Sequence, residues 1–196
     1  MDVAIIKYNA GNIYSVEYAL KRLGVPYRVT GDKESIQKAD KVIFPGVGEA
    51  ATTMNHLKAT GLDRLICGLK QPVLGICLGQ QVMCRRSEEG HVDCLGIFDV
   101  EVKRFMPQRH EDKVPHMGWN SLENVNSGLF TPKQENAFVY FVHSYYVPVN
   151  AYTAATTNYI QPFSAALHKE NYYATQFHPE KSGSVGEAIL TNFLNL

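Results

Sequence analysis

The sequence predicts an α/β protein: a mostly parallel central sheet flanked by helices, with antiparallel strands added in the second half. Three observations carry this. Short apolar runs alternate with amphipathic helical stretches as far as about residue 83, the order of βαβ units, whose sheet must be buried on both faces. From about residue 95 the texture changes to short β-prone runs separated by turns, which reads as antiparallel pairing. Between these halves, Val73-Leu74-Gly75-Ile76 runs into Cys77, and Leu78-Gly79-Gln80-Gln81-Val82-Met83 opens as a helix.

Each element has a local reason. Val3–Ile6 is a continuous apolar strand. Ile13, Val16, Leu20 and Leu23 recur at helical spacing, and Gly24 stops that helix. Pro26–Thr30 and Lys41–Phe44 are the next strands, with a short helix after Asp32 between them. Pro45-Gly46-Val47-Gly48 reads as a loop. Ala50, Met54 and Leu57 face one side of a helix that Gly61 ends, and Leu62, Leu65, Ile66 and Leu69 form another helical face. The later strands are expected within Ile97–Phe105, Phe138–His143, Thr153–Thr157, Ser164–His168 and Tyr172–Phe177. A last helix follows Ser182, with Ser184 and Glu187 in capping-box spacing and Val185, Ile189 and Phe193 as its buried stripe. No repeat or linker breaks the chain, so residues 1–196 are read as a single domain.

The chain has 196 residues, 45% hydrophobic and 19% charged, enough for a sizeable core. Lysine plus arginine and aspartate plus glutamate number 19 each. Zero net charge gives no electrostatic case for nucleic acid or an acidic membrane. Neither a signal peptide nor a membrane span is expected. Cysteines 67, 77, 84 and 94 form no C-x-x-C pair and no zinc-like pattern with histidine. On a continuous helix Cys77 and Cys84 would lie about 10 Å apart, too far for a disulfide. A reduced, cytoplasmic protein is the expectation, with no metal and no cofactor.

Gly75 and Gly79 stand two residues before and two after Cys77. That is the Gly-x-nucleophile-x-Gly pattern of a strand-to-helix elbow, with cysteine at the nucleophile position. The positive end of a helix favours thiolate there. Taken alone, the pattern fits equally a buried structural cysteine between two turn glycines. A cysteine nucleophile needs a base. Of seven histidines, His178 follows the strand-like run Tyr172–Phe177, and Glu180 lies two residues beyond across Pro179. A carboxylate at that spacing can hold one imidazole tautomer, the third role of a triad. A solvated surface turn is the commoner fate of an isolated His-Pro-Glu. The elbow and His178 both falling at strand ends, where sites of parallel sheets form, weakens that reading.

Gly75-Ile76-Cys77-Leu78-Gly79 together with His178-Pro179-Glu180 resembles the class I (triad) glutamine amidotransferases, with the motifs in the expected chain order. The resemblance covers nearly the whole chain and implies a flavodoxin-like α/β fold. The blocks Pro45–Gly48, Pro115–Asn120, Tyr140–Tyr145 and His178–Ser182 narrow it to the glutaminase subunits of histidine biosynthesis. One block departs: where the family commonly has Asp-Tyr-Gly-x-Gly-Asn, this chain has Lys7-Tyr8-Asn9-Ala10-Gly11-Asn12.

The resemblance implies glutamine hydrolysis by Cys77, His178 and Glu180. Elbow geometry offers the Leu78 N–H to the oxyanion. The resemblance assigns the second donor to the Val47 N–H, supplied if the Gly46–Val47 peptide turns over. It also implies substrate contacts from Gln81, Ser144 and Tyr145, and a partner surface of Asn12, Trp119, Tyr140 and Lys181. For Trp119, burial in the core is an equal expectation. A chain of this length leaves no room for a synthase, so the resemblance implies a HisF-type (β/α)8 cyclase that receives the ammonia. Alternatives are a glutaminase subunit of a sugar-amination or anthranilate-type synthase, a lone cysteine hydrolase, or a binding protein on the same scaffold.

Overall fold

The computed structural model describes every residue except 9–12. Asn12, expected at the partner surface, and the altered Asn9 therefore lie outside the described residues.

The first half follows the expected alternation: β1 (Val3–Ile6), α1 (Ile13–Arg22), β2 (Tyr27–Thr30), α2 (Lys33–Lys38), β3 (Lys41–Gly46), α3 (Ala50–Thr60), α4 (Leu62–Gly68), β4 (Val73–Cys77) and α5 (Leu78–Met83). The second half holds β5 (Cys84–Ser87), β6 (Val92–Asp93), β7 (Phe98–Arg104), β8 (His116–Ser121), β9 (Phe138–His143), β10 (Tyr145–Tyr146), β11 (Thr153–Tyr159), β12 (Gln161–Lys169), β13 (Tyr172–Thr175) and α6 (Gly183–Leu194).

Seven strands form the central sheet in the order β11-β12-β13-β4-β3-β1-β2. The five from β13 to β2 run parallel, and β12 and β11 add on antiparallel. Side chains alternate between faces along each strand. Val3 and Ile5 of β1 meet α1 (Val16, Leu20) and α6 (Ile189, Phe193) on one face. Ala4 and Ile6 meet α2 (Ile36), α3 (Met54, Leu57) and α4 (Ile66) on the other. Each fully buried Ile, Leu or Phe contributes roughly 1.5–3 kcal/mol, so both helical layers are held by the sheet rather than by their own propensity.

Local signals behave as read at most helix ends. The Asp32 carboxylate caps α2 by accepting from Ser35 N–H at 2.8 Å. Gly61 ends α3 with φ of 68°, a left-handed conformation that glycine takes without a Cβ penalty.

Four readings need correction. Pro45 and Gly46 continue β3 instead of forming a loop, because both pair with β4. The helix after Cys77 ends at Met83, and Cys84 starts β5, since pairing with β7 captures the chain. The strands within Ile97–Phe105 and Phe138–His143 do not extend the central sheet. They join a four-stranded sheet, β10-β7-β5-β6, and a two-stranded ribbon, β8-β9. The capping box at Ser184 is not used: Ser182 is the N-cap of α6, and Glu187 pairs instead with Arg22 at 2.7 Å.

Candidate active site

The elbow is built by close backbone packing. Cys77 ends β4 with φ of 54° and ψ of −108°, a conformation rare outside glycine and costly unless its surroundings impose it. The surroundings do so through three glycines. A Cβ on Gly79 would collide with the Phe44 carbonyl, and one on Gly75 would lie 2.8 Å from the Met83 sulfur and 3.0 Å from the Gly79 carbonyl carbon. A Cβ on Gly46, in register with Cys77 across β3 and β4, would lie 2.7 Å from Leu78 Cβ. The glycines at positions 75 and 79 are therefore steric requirements of this turn.

The strand β13 lies beside β4, so the segment that leaves it passes the nucleophile. His178 is anchored twice. Its N–H donates to the Tyr140 carbonyl at 2.9 Å, and its carbonyl accepts from the Ser182 hydroxyl at 2.6 Å. Ser182 in turn accepts from the Tyr140 N–H at 3.0 Å. Pro179–Lys181 forms a 3-10 turn that brings Glu180 back onto the ring. His178 Nδ1 donates to Glu180 Oε1 at 2.7 Å, with both side chains 2% exposed. Burial pulls the imidazolium pKa down, but the charge of the nearby Cys77, then the hydrogen bond and charge of Glu180, outweigh it and raise it to about 10. His178 Nε2 is buried with no hydrogen-bond partner among the described residues, which leaves that nitrogen for a reacting group.

A cavity of about 360 Å3 opens over Cys77, walled by Val47, Gly48, Leu78, Gln81, Ser144, Tyr145 and His178. The expected binding residues thus meet at one place. Gly46 lies behind them in β3. Gln81 is 4% exposed, and its amide donates to the Tyr145 carbonyl and to Gln176 Oε1, both at 3.0 Å.

Two features escaped the sequence reading. Glu89 lines the cavity, its Oε2 accepting from the Ala50 N–H at 2.9 Å. In the sequence it stands in Ser87-Glu88-Glu89-Gly90, which looks like a solvated charge run. Burial raises its pKa, against the Ala50 hydrogen bond. The second feature is a buried histidine pair. His143 Nδ1–H donates to the Tyr145 carbonyl at 2.7 Å, which leaves its Nε2 to accept from His116 Nδ1–H at 3.0 Å. Burial lowers both pKa values, to about 3 for His143 and about 4 for His116.

Of the residues expected at the partner surface, Trp119, Tyr140 and Lys181 are described, and Tyr140 and Lys181 adjoin the segment that carries His178 and Glu180. Trp119 is 56% exposed, which removes the core reading. It faces Tyr140 across the ribbon, with ring centroids 6.1 Å apart. Lys181 is exposed on the 3-10 turn that carries Glu180. Met117 and Phe138 leave further apolar surface exposed on the same two strands. Among the described residues no helix is long and apolar enough to cross a membrane.

A cysteine elbow beside a buried His–Glu pair, on this sheet, is the arrangement a thiol-dependent amidotransferase would use. Residues 4–196 match the family Glutamine amidotransferase class-I, and the chain belongs to it. Among curated proteins it is 72% identical to an imidazole glycerol phosphate synthase subunit HisH of Bacteroides thetaiotaomicron, over the full length of both. It is 43% identical over 202 residues to the subunit of that name from Escherichia coli K12, again covering all of both chains. Among solved structures, a glutamine amidotransferase matches with a TM-score of 0.74 at 18% identity, covering 98% of this chain and 97% of the other. PurLQS from Thermotoga maritima matches at 0.68 and 17%, covering 99% and 97%. These likenesses share the fold predicted above.

Proposed function

We propose that this chain is the glutaminase subunit of an imidazole glycerol phosphate synthase. It would hydrolyse glutamine to glutamate and ammonia and pass the ammonia to a HisF-type (β/α)8 cyclase. That partner would use it to convert a phosphoribulosyl-formimino aminoimidazole carboxamide ribonucleotide into imidazole glycerol phosphate and an aminoimidazole carboxamide ribotide, in histidine biosynthesis. The whole chain serves as one amidotransferase domain working in the cytoplasm. The observation that carries the reading is the convergence of Cys77 and the His178–Glu180 pair on one cavity, in a chain that matches HisH subunits end to end.

The geometry supports the following chemistry. His178, held by Glu180, takes the thiol proton, and the Cys77 sulfur attacks the side-chain carbonyl of glutamine. His178 then protonates the departing ammonia through Nε2, the nitrogen without a protein partner. Water activated by the same ring hydrolyses the thioester. The Leu78 N–H, first in α5, receives the oxyanion. The Val47 N–H joins it when the Gly46–Val47 peptide turns, and Gly48, at φ of 114°, adjoins that segment. Losing one such donor costs about a hundred- to a thousand-fold in rate, enough for the partner to switch the enzyme by moving one peptide. Gln81, Ser144 and Tyr145 hold the substrate, and the Glu89 carboxylate on the cavity wall takes its ammonium group.

Trp119, Tyr140 and Lys181 form the face toward the cyclase. A contact there has a short route to the site, because Tyr140 and His178 share a backbone hydrogen bond. The decisive experiment is co-purification with a HisF-type barrel, followed by glutamate release with and without the cyclase substrate. Ligand-stimulated release supports the reading. No complex, or full turnover by the isolated chain, overturns it. Failure to complement a histidine auxotroph lacking this subunit would favour a sugar-amination or anthranilate-type synthase.

A further inference from the structure

Gln176 has no place in the mechanism above, yet it is fully buried against the nucleophile. It follows β13 and precedes His178 by two residues. Its backbone N–H donates to the Ala165 carbonyl at 2.8 Å, which fixes the chain where the side chain leaves it. The side-chain amide makes two contacts. Oε1 accepts from Gln81 Nε2 at 3.0 Å, and Nε2 lies 3.7 Å from Cys77 Sγ in donor geometry.

The orientation of that amide follows from its neighbours. Gln81 offers N–H groups to two oxygens, the Tyr145 carbonyl and Gln176 Oε1. With its oxygen engaged, Gln176 can present only N–H to the sulfur. The Val142 carbonyl lies 3.8 Å from the same sulfur. It suits a thiol, whose S–H can donate to it, and opposes a thiolate. Gln176 does the reverse, because a hydrogen bond to an ionised acceptor is stronger than one to a neutral acceptor.

We propose that Gln176 is a further functional residue of this site: its side-chain N–H, aimed by Gln81, holds the sulfur of Cys77 and stabilises it as thiolate. The inference rests on the reading of Cys77 as nucleophile. It also links binding to reactivity. Gln81, on the cavity wall, sets the amide that faces the sulfur, so a ligand that moves Gln81 alters the nucleophile through one intervening side chain.

The test is the pH profile of Cys77 alkylation by iodoacetamide in the full chain. Modification is followed on the Cys77 peptide by mass spectrometry, so that the exposed Cys67 does not interfere. Gln176→Leu keeps the volume and removes the donor. Its profile moves to higher pH, with the rate at pH 7 falling roughly tenfold and the rates converging at alkaline pH, as expected for a lost hydrogen bond to a charged group. Gln176→Glu, which places a negative charge beside the sulfur, slows the reaction at pH 7 at least as much. Where Leu prevents folding, Gln176→Asn is read instead. It keeps the amide but is one methylene too short to reach, and the same displacement is expected. A folded Leu or Asn variant whose profile coincides with the native one overturns the proposal, even if its melting temperature falls. Cys77→Ala separates the two readings. Glutamate release surviving in Cys77→Ala removes the nucleophile assignment, whereas its loss there with an unmoved Gln176→Leu profile removes only the role of Gln176.

Discussion

Gly46 and Cys77 are register partners across the parallel β3–β4 pair, and Gly46 carries no Cβ because the first turn of α5 occupies that space. A Cβ there would collide with the Gly79 backbone nitrogen and lie 2.7 Å from Leu78 Cβ. Neither neighbour is the end of a flexible side chain, so relief requires moving the backbone that bears the Leu78 N–H. Gly46→Ala is therefore expected to destabilise the fold by about 1–3 kcal/mol, the usual cost of overpacking. It should also lower glutamate release by at least tenfold, the scale of an oxyanion donor moved off its target. Urea unfolding and a glutaminase assay check both. Native stability with native activity would mean that the elbow tolerates a Cβ.

The hydrogen bond from His178 to Glu180 gives a second expectation. Glu180→Gln keeps the shape but removes the charge that orients and stabilises the imidazolium. On the scale of triad carboxylate replacements, turnover should fall about 10²- to 10⁴-fold, while KM for glutamine changes little. Glu180 is one of the groups that raise the His178 pKa. Without it the ring loses its proton at lower pH, so the alkaline limb of the pH–activity profile shifts downward. A profile of unchanged shape would mean that Glu180 has only a packing role.

Glu89 provides a test of substrate orientation. Its carboxylate is the only acidic side chain on the wall of the Cys77 cavity among the described residues. Glu89→Gln preserves an acceptor for the Ala50 N–H but cannot pair with an ammonium group. The expected result is a KM for glutamine raised roughly ten- to a hundredfold, as for a lost charge-assisted hydrogen bond, with kcat falling less. The rate of Cys77 alkylation by a neutral reagent should stay close to native. A kcat effect without a KM effect would place Glu89 outside the binding subsite.

How far the sequence reached depends on the range of the interactions concerned. The elbow was legible because its demands are local: a positive φ at Cys77 and two glycines that neighbouring backbone requires. The His178–Glu180 pair was legible because two residues and a proline set its spacing. The strand β8 was not, since His116–Ser121 gains its conformation from pairing with β9 residue by residue. The capping box at Ser184 failed because α6 already begins at Gly183, which puts Ser184 inside the helix, and Glu187 pairs with Arg22. Glu89 and Gln176 were invisible because a solvated charge run and a strand-end amide acquire meaning only when distant segments close around them.

The histidine pair fixes the last expectation. The Tyr145 carbonyl accepts from His143 Nδ1–H, so the pair is hydrogen-bonded in one tautomeric arrangement, both rings neutral, with Asn120 Nδ2 3.4 Å from His116 Nε2. Protonating His143 would put a second N–H where His116 already donates. The His116 ring is also stacked between Phe141 and Tyr159, at centroid distances of 4.9 and 4.0 Å. Both folded-state pKa values lie below the ordinary histidine value, at about 3 and about 4. The unfolded chain therefore binds protons first as pH falls below about 6.5, and stability is lost from there down to the folded values. Well inside that window each ring contributes a slope approaching about 1.4 kcal/mol per pH unit. His178, with its pKa raised to about 10, acts with the opposite sign. Its contribution is complete below about 6.5 and is lost as pH rises toward 10. Unfolding midpoints measured from pH 6.5 to pH 5 should fall, and His116→Phe should flatten that fall while lowering the midpoint at pH 8, since it leaves His143 Nε2 without its donor. An equally steep fall in the variant would assign the acid sensitivity to other groups.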